Sequence, residues 1–440
     1  MSSNRSKIAV KNIGLSFVAR ALTVICSILQ VPAALAILNK TEYGIWLTMY
    51  SVFGWFLVFD LGIGNGLKNK LTTALAVGDN ALAKKYVSTA YVSVGVLTLL
   101  LTTVFLILFP FVNWIAFFNA PEFSESRFAW VVLLCCVCTL FSFLTGLIHA
   151  VLSSYQKIGL SNIIVFVPQL LLLLTMYAFR HFHIDNFFLI ISVFVGLPLF
   201  VNLLYSFYAF HKPYKAISPT YRSYDRLFLK DIMGLGLRFF AVQVSGLIIF
   251  STDNIFISHL YSPEKVTEYN IVVKYFSVLA IVFAVITGPL LALYTDAFAK
   301  NDYAWVKNQV SRLVRLWYVF IGIACFMVFV SPVIFHWWID PSFDVPLLLV
   351  VFIGLYTIQG IWNVIFVVPS NSMGKIKLQV IYSAAAAIIN VPLILLFHKY
   401  FGSINSIVVA NIISLSIGSI LAYMQYRRTI TKVDRGIFTK

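Results

Sequence analysis

The chain has 440 residues, of which 60% are hydrophobic and only 11% are charged, and its mean hydropathy is +0.91. A soluble protein with so few charged residues could not cover its surface with polar groups, so this composition excludes a soluble globular protein. The formal net charge of +16 does not indicate nucleic-acid binding, because the basic residues lie in short segments between apolar runs.

Apolar runs of the roughly 20 residues that a bilayer-spanning helix needs recur along the whole chain. In the first half they predict spans at 12–38, 43–63, 87–110, 128–151, 160–180 and 186–210. In the second half they predict spans at 231–258, 269–295, 310–334, 345–368, 378–397 and 404–424. Because lipid forces backbone polar groups to pair within each span, we expect an all-α polytopic membrane protein with about 12 transmembrane helices.

The first apolar run follows Arg5, Lys7 and Lys11, as the core of a signal peptide would. Signal cores are only about 7–15 residues long, so this much longer run is interpreted as the first span. With both termini in the cytoplasm, most of the 32 Lys and Arg residues fall on the cytoplasmic side. The positive-inside rule therefore predicts that both termini are cytoplasmic.

The two halves of the chain carry matching segments, since Thr41-Glu42-Tyr43 recurs as Thr267-Glu268-Tyr269 before an apolar run in each half. This repeat predicts an N-terminal six-helix lobe over 1–210 and a C-terminal six-helix lobe over 231–440, which ends in a short basic tail. Residues 211–230 are interpreted as a basic cytoplasmic linker. Transporters commonly place their substrate path between such repeats.

Five charged residues lie inside the predicted spans, where insertion costs roughly 2.5–3.5 kcal/mol each, namely Arg20, Asp60, Arg238, Asp253 and Lys274. Such residues usually face a water-filled cavity. They predict a central cavity between the halves with cationic walls that receives an anionic substrate. The alternative is structural, with Arg20 paired to Asp60 and Asp253 paired to Lys274.

Neutral polar residues extend these positions along the same helix faces. Thr23, Ser27 and Gln30 follow Arg20 at helical spacing in the first span, and Ser245 follows Arg238 in the seventh. We therefore include these four residues among the candidate substrate-binding residues.

The sequence predicts neither a metal site nor a P-loop nucleotide site. Cys135, Cys136 and Cys138 have no His or carboxylate at ligand spacing, so no metal site is predicted. A P-loop motif does not occur, and no predicted external loop is long enough to form a catalytic domain. The protein is therefore expected to be a transporter and not an enzyme, and a membrane glycosyltransferase is excluded.

Several segments are similar to those of a known family. Residues 38–46, with Glu42-Tyr43-Gly44, resemble the start of span two in polysaccharide-export flippases, and Asp60-Leu61-Gly62-Ile63-Gly64-Asn65 resembles their following segment. In the second half, Asp253-Asn254-Ile255-Phe256-Ile257 resembles a further family pattern. On these motifs the chain resembles the Wzx-type O-antigen flippases of the multidrug/oligosaccharidyl-lipid/polysaccharide (MOP) exporter superfamily.

The resemblance implies a V-shaped, MATE-like pair of lobes that works by alternating access in the bacterial cytoplasmic (inner) membrane. The implied substrate is an undecaprenyl-diphosphate-linked oligosaccharide, moved from the cytoplasmic to the periplasmic leaflet. Arg20 and Arg238 would bind the diphosphate, with Lys274 further along the path. Asp60 or Asp253 would couple transport to a proton or sodium gradient, and no cofactor is expected. Implied partners are the lipid bilayer, a glycan polymerase and a chain-length regulator.

Two other functions remain open at this point. The first is an ion-coupled multidrug exporter of the same superfamily, although such exporters favour acidic cavities and the intramembrane charges here include more cations than carboxylates. The second is a membrane partner of a glycan-assembly complex that does not itself transport.

Overall fold

The structure is a computed structural model that describes residues 2–56, 62–233, 252–340 and 343–431. Within these ranges every regular element is an α-helix or a short 3-10 helix, and none is a β-strand. The predicted all-α polytopic membrane fold is therefore confirmed. In lipid this outcome follows from the helix itself, which pairs its backbone N–H and C=O groups internally.

The chain divides into two compact units, of which the first is Met1–Gln243 and the second Val244–Lys440. The helices of the first unit are α1 Ser2–Leu35, α2 Lys40–Gly54, α3 Ile63–Ala76, α4 Asn80–Leu108, α5 Trp114–Phe118, α6 Glu125–Ser154, α7 Ile158–His181, α8 Phe187–His211 and α9, which is described over 226–233.

The second unit contains α10 Asp253–Leu260, α11 Pro263–Thr287, α12 Leu290–Ala299, α13 Tyr303–Trp338, α14 Leu347–Ser372, α15 Lys377–Phe401 and α16 Asn405–Ile430. Within it, α14 packs against α11, α13 and α16, and α15 packs against α16. The boundaries of the two six-helix lobes, placed at 210 and 231 from the sequence, remain a prediction.

Ten helices among the described residues are long and apolar enough to cross a membrane. They coincide with all the predicted spans except the second and the seventh. Most of the seventh predicted span falls on 234–251, which lies outside the described residues. The second span differs for a structural reason.

The second span of each half is divided between two helices. In the first half α2 ends at Gly54, short of the predicted end at 63, and α3 begins after Gly62, whose φ of +71° lies in the left-handed region. In the second half α11 ends at Thr287 and α12 begins after Pro289, inside the predicted span 269–295. Proline lacks a backbone N–H and its ring clashes with the preceding helical turn, so it breaks the helix there.

The segment predicted as a linker, 211–230, packs on helix α4. The backbone N–H of Thr220 donates to Ser88 Oγ at 3.0 Å, and that of Asp225 donates to Thr89 Oγ1 at 3.2 Å. Ile217 is fully buried. The linker is therefore an ordered part of the first unit.

Helix α9 is held against α3 where the linker ends. Asp231 Oδ2 accepts hydrogen bonds from Lys70 Nζ at 3.0 Å and from the Tyr86 hydroxyl at 3.1 Å. Gly66 allows α3 to approach α9 closely, because a Cβ there would lie 2.3 Å from the carbonyl oxygen of Ile232.

Candidate functional site

Helix α1 carries the predicted polar face of the first unit. Arg20 is exposed, so its guanidinium is accessible to an anionic group. Thr23 Oγ1 donates to the carbonyl of Ala19 and Ser27 Oγ donates to that of Val24, both at 2.8 Å. Each hydroxyl thus uses its proton within its own helix and leaves only its oxygen to accept a further hydrogen bond.

Gln30 has a different role from its neighbours on this face. Its Nε2 donates to the backbone carbonyl of Gln169 at 2.8 Å and to the Gln169 side-chain oxygen at 3.0 Å, which ties α1 to α7. Nearer the start of α1, Asn162 on α7 donates to Ser16 Oγ. Part of the polar face therefore joins two spans, and substrate contact by Gln30 stays a prediction.

Three predicted site residues, Asp60, Arg238 and Ser245, lie outside the described residues. The alternative ion pair between Arg20 and Asp60 stays a prediction for the same reason, and so does the pairing of Arg238 with diphosphate.

Asp253, the first residue of α10, lies at the centre of a buried polar cluster in the second unit. Its side chain is 1% exposed. Asp253 Oδ2 accepts hydrogen bonds from the Tyr269 hydroxyl at 2.6 Å and from Asn411 Nδ2 at 2.7 Å. Asp253 Oδ1 has no hydrogen-bond partner among the described residues. Within the described part of the chain, only one of the two carboxylate oxygens therefore has hydrogen-bond donors.

The cluster continues through amide side chains to α15. Asn390 Nδ2 donates to Asn411 Oδ1 at 2.7 Å and to Ser414 Oγ at 3.3 Å, and Asn390 is 1% exposed. Its own Oδ1 is buried without a partner in the described part of the chain. We call Asp253, Tyr269, Asn390, Asn411 and Ser414 the Asp253 cluster. Its two unpartnered oxygens are acceptors, which suits a proton or a hard cation with oxygen ligands.

Lys274 lies apart from this cluster. It is half-buried on α11, and the alternative ion pair between Lys274 and Asp253 does not form, since Asp253 is held by Tyr269 and Asn411 instead. Next to it along α11, Asn270 Nδ2 donates to Asn254 Oδ1 at 2.8 Å. Lys274 therefore remains a cation that Asp253 does not neutralise.

Sequence reasoning identified Asp253 but not Tyr269, which donates to it, nor Asn390, which donates to Asn411 in the same cluster. Tyr269 belongs to the repeated Thr-Glu-Tyr segment, which was used only to recognise the two halves. Asn390 lies in the apolar run of span eleven, and a buried amide in such a run was a usable signal, because intramembrane polar groups usually have partners on other helices.

A cavity of about 360 Å³ lies in the first unit between α3, α4 and α6. Its polar lining includes Asn65, Lys68, Ser142 and His149. The imidazole of His149 is held on both sides, at 2.9 Å from Ser161 Oγ and 3.2 Å from Asn202 Oδ1. His149 therefore joins three spans, and none of the predicted site residues that the structure describes lines this cavity.

In the described ranges, no cluster of three or more His, Cys, Asp or Glu side chains could hold a metal ion. Cys135, Cys136 and Cys138 are buried as free thiols.

Comparison with solved structures identifies the fold. The chain is similar to a multidrug resistance MATE family transporter of the MOP superfamily in its inward-facing conformation, with a TM-score of 0.76, 12% identity, and coverage of 96% of this chain and 100% of that one. The outward-facing conformation of a MATE family transporter of the same superfamily gives a TM-score of 0.61 at 12% identity, covering 97% and 96% of the two chains. The MATE-like fold predicted from the resemblance is confirmed.

Comparison with sequences identifies the family. A Yersinia pseudotuberculosis protein whose name refers to O-antigen export is 19% identical over 372 residues, which cover 81% of this chain and 82% of the relative. The family described as "Polysaccharide biosynthesis protein" matches residues 9–294, more than half of the chain. The resemblance noted in the sequence is thereby confirmed, and the chain belongs to the polysaccharide biosynthesis protein family.

Proposed function

We propose that the protein is a flippase. Its substrate is an undecaprenyl-diphosphate-linked oligosaccharide, such as an O-antigen repeat unit, which it moves from the cytoplasmic to the periplasmic leaflet by alternating access. The observation that carries the proposal is the family match over residues 9–294 in a chain whose long described helices are membrane spans.

The chemistry of this substrate explains why a protein is needed. A diphosphate and a chain of hydroxylated sugars lose their hydrogen bonds to water in hydrocarbon, and this loss makes unassisted crossing unfavourable. A transporter lowers the barrier by offering polar and cationic groups inside the membrane. The intramembrane residues of this chain supply such groups, and the O-antigen export relative supports a glycan as the cargo.

Arginine is the residue best suited to the diphosphate, because its planar guanidinium makes two parallel hydrogen bonds to phosphate oxygens. We assign this role to Arg20 and Arg238, with Lys274 further along the path. Thr23, Ser27, Gln30 and Ser245 are assigned to the polar walls beside them.

Coupling to a proton or sodium gradient is assigned to the Asp253 cluster, and Asp60 is a second candidate. An ionised carboxylate that is 1% exposed and whose Oδ1 has no partner among the described residues is unfavourable, so a bound proton or cation would stabilise it. The fraction of molecules with a proton or cation bound at the Asp253 cluster would then change with the ion gradient, as coupling requires.

The proposal includes a location and partners. The protein would lie in the bacterial inner membrane with both termini in the cytoplasm, where lipid-linked repeat units are assembled. A glycan polymerase and a chain-length regulator would use the flipped product. No cofactor takes part, and the protein transports its substrate without altering it chemically.

A deletion strain without a redundant flippase tests the proposal. We expect lipid-linked glycan to accumulate in the cytoplasmic leaflet and surface glycan to fall, with recovery when the gene is restored. Leaflet position is measured by the access of a membrane-impermeant glycosidase in spheroplasts and in inverted vesicles.

Normal surface glycan in that strain would contradict the proposal. Loss of drug resistance without glycan accumulation would instead favour the multidrug exporter. Accumulation that is cured by a transport-dead variant would favour the non-transporting partner of a glycan-assembly complex.

A further inference from the structure

A long apolar groove lies within the second unit, between helices α13, α14 and α16. Its cavity volume is about 710 Å³, and its lining includes Trp317, Cys325, Leu355, Trp362, Ile412 and Ile420. Leu355 is 54% exposed and Ile420 is 60% exposed although both lie in spans, so the groove is open along its length. We call it the α13–α14–α16 groove.

Most of the polar atoms along the groove have hydrogen-bond partners within the protein, and Gln359 Oε1 is a buried exception among the described residues. Trp317 Nε1 donates to the carbonyl of Ile358 at 2.9 Å. Gln359 Nε2 donates to the carbonyl of Ile412 and to Ser416 Oγ, both at 2.9 Å, and Ser416 Oγ donates to the same Ile412 carbonyl at 2.7 Å. A glycan would find few hydrogen-bond partners here, whereas a hydrocarbon chain would lose none.

One end of the groove is built from aromatic rings. Trp317 and Trp362 have ring centroids 4.8 Å apart, and Trp362 lies 4.8 Å from Phe366. Tyr423 lies 5.1 Å from Phe366. In the predicted orientation this is the cytoplasmic end, so the rings lie where tryptophan and tyrosine commonly mark a membrane–water interface.

A cation follows directly beyond the rings. Arg427 comes seven residues after Ile420 on α16, which places it on the same helix face, and its side chain is exposed. The groove therefore continues from an apolar channel through an aromatic ring cluster to a positive charge. This order matches a lipid with a long chain and an anionic headgroup in the cytoplasmic leaflet.

We infer that the α13–α14–α16 groove binds the polyisoprenyl chain of the transported lipid, with the diphosphate end toward Arg427. The inference rests on the proposed flippase function. A diphosphate carries more negative charge than the single phosphate of a phospholipid, so the cation at the end of the groove favours it. The groove therefore holds the lipid before transport, while its diphosphate is still in the cytoplasmic leaflet and has not yet reached Arg20 and Arg238.

The natural cysteines allow a direct test in the full-length protein. Cys325 lines the groove and is exposed, whereas Cys26, Cys135, Cys136 and Cys138 are buried, so a benzophenone maleimide would react at Cys325. The labelled protein, reconstituted in nanodiscs, is illuminated with undecaprenyl diphosphate or with phosphatidylglycerol at equal mole fraction. We expect about tenfold more cross-linking to undecaprenyl diphosphate.

The control carries the label elsewhere on the lipid-facing surface. Ile388 on α15 is 74% exposed and does not line the groove, so the double variant Cys325→Ser, Ile388→Cys places the same label there. We expect no preference between the two lipids at that position. Equal cross-linking of both lipids at Cys325, or the same preference at both positions, would overturn the inference.

Filling the groove gives a functional test. We expect Ile420→Trp to reduce cross-linking at Cys325 and glycan export by about tenfold, while Ile388→Trp, the same change on another helix, leaves both unchanged. If Ile420→Trp exports normally and Cys325 shows no lipid preference, the tail site is wrong but the flippase stands. If the unmodified protein does not restore export in the deletion strain, the flippase proposal itself fails.

Discussion

Asp253 combines an ionisable carboxyl group with almost complete burial. Two donors, Tyr269 and Asn411, stabilise Oδ2, but nothing in the described structure stabilises Oδ1. In a low-dielectric interior an unpartnered charge is strongly disfavoured. A bound proton or cation would stabilise the ionised carboxylate, and this is the physical basis of the coupling role proposed for Asp253.

Asp253→Asn tests this role with little change in shape. The amide oxygen still accepts from Tyr269, and the group is neutral, so we expect folding and thermal stability to be retained. Transport should lose its response to an imposed proton or sodium gradient and fall by about tenfold or more. Flipping is measured in proteoliposomes with and without an ionophore, and a gradient response that matches wild type would rule out Asp253 as the coupling residue.

Arg20 offers a second test at the level of a single residue. If its guanidinium binds diphosphate, Arg20→Ala removes charge-assisted hydrogen bonds of about 1.5–3 kcal/mol and should weaken lipid-linked glycan binding roughly tenfold or more. Arg20→Lys keeps the charge without the bidentate geometry and should recover part of the loss.

Thr103→Val serves as the control, because the Thr103 hydroxyl on α4 also donates within its own helix, to the carbonyl of Leu99, and Thr103 is not part of the proposed site. It should bind almost normally. Binding by Arg20→Ala that equals wild type would remove Arg20 from the proposed site.

Broken helices distinguish the second span of each half from the other spans that the structure describes. Hydropathy averages over about twenty residues and detects an apolar stretch whether or not its backbone is continuous. It therefore located 43–63 and 269–295 but did not detect the breaks at Gly62 and at Gly288-Pro289. Half-helix ends within the membrane expose backbone polar groups, and transporters commonly place binding sites at such breaks.

The close approach of α3 and α9 at Gly66 predicts that a larger residue at this position lowers the free energy of unfolding. In Gly66→Ala the added methyl would meet the Ile232 backbone, which cannot move without shifting the whole of α9. We expect a loss of about 1–3 kcal/mol in the free energy of unfolding, as overpacking typically causes.

Gly196→Ala is the matched control, because nothing lies within 4 Å of the new Cβ and alanine favours a helix. Thermal unfolding in detergent compares the two variants. Equal unfolding midpoints would show that the close approach of α3 and α9 does not contribute to stability.

At the scale of the whole molecule, the sequence predicted the spans well and the interactions between them poorly. Composition and the length of the apolar runs are enough to predict the spans, because every lipid-facing helix must be apolar. Partners are different, since Asp253, Asn390 and Asn411 are far apart in the chain and meet only through the packing of α10, α15 and α16. Likewise, the hydrogen bond that joins Gln30 on α1 to Gln169 on α7 cannot be predicted from the sequence, because the two residues are 139 positions apart.

The most direct test of the flippase account is the movement of a headgroup-labelled lipid across a reconstituted bilayer. A lipid-linked glycan carrying a fluorophore on its sugar is incorporated into proteoliposomes, and dithionite quenches only the label in the outer leaflet. The account predicts that with the wild-type protein and an ion gradient the inner-leaflet label also becomes quenchable, and that Asp253→Asn slows this step. Inner-leaflet label that stays protected with the wild-type protein, as in protein-free liposomes, would contradict the account.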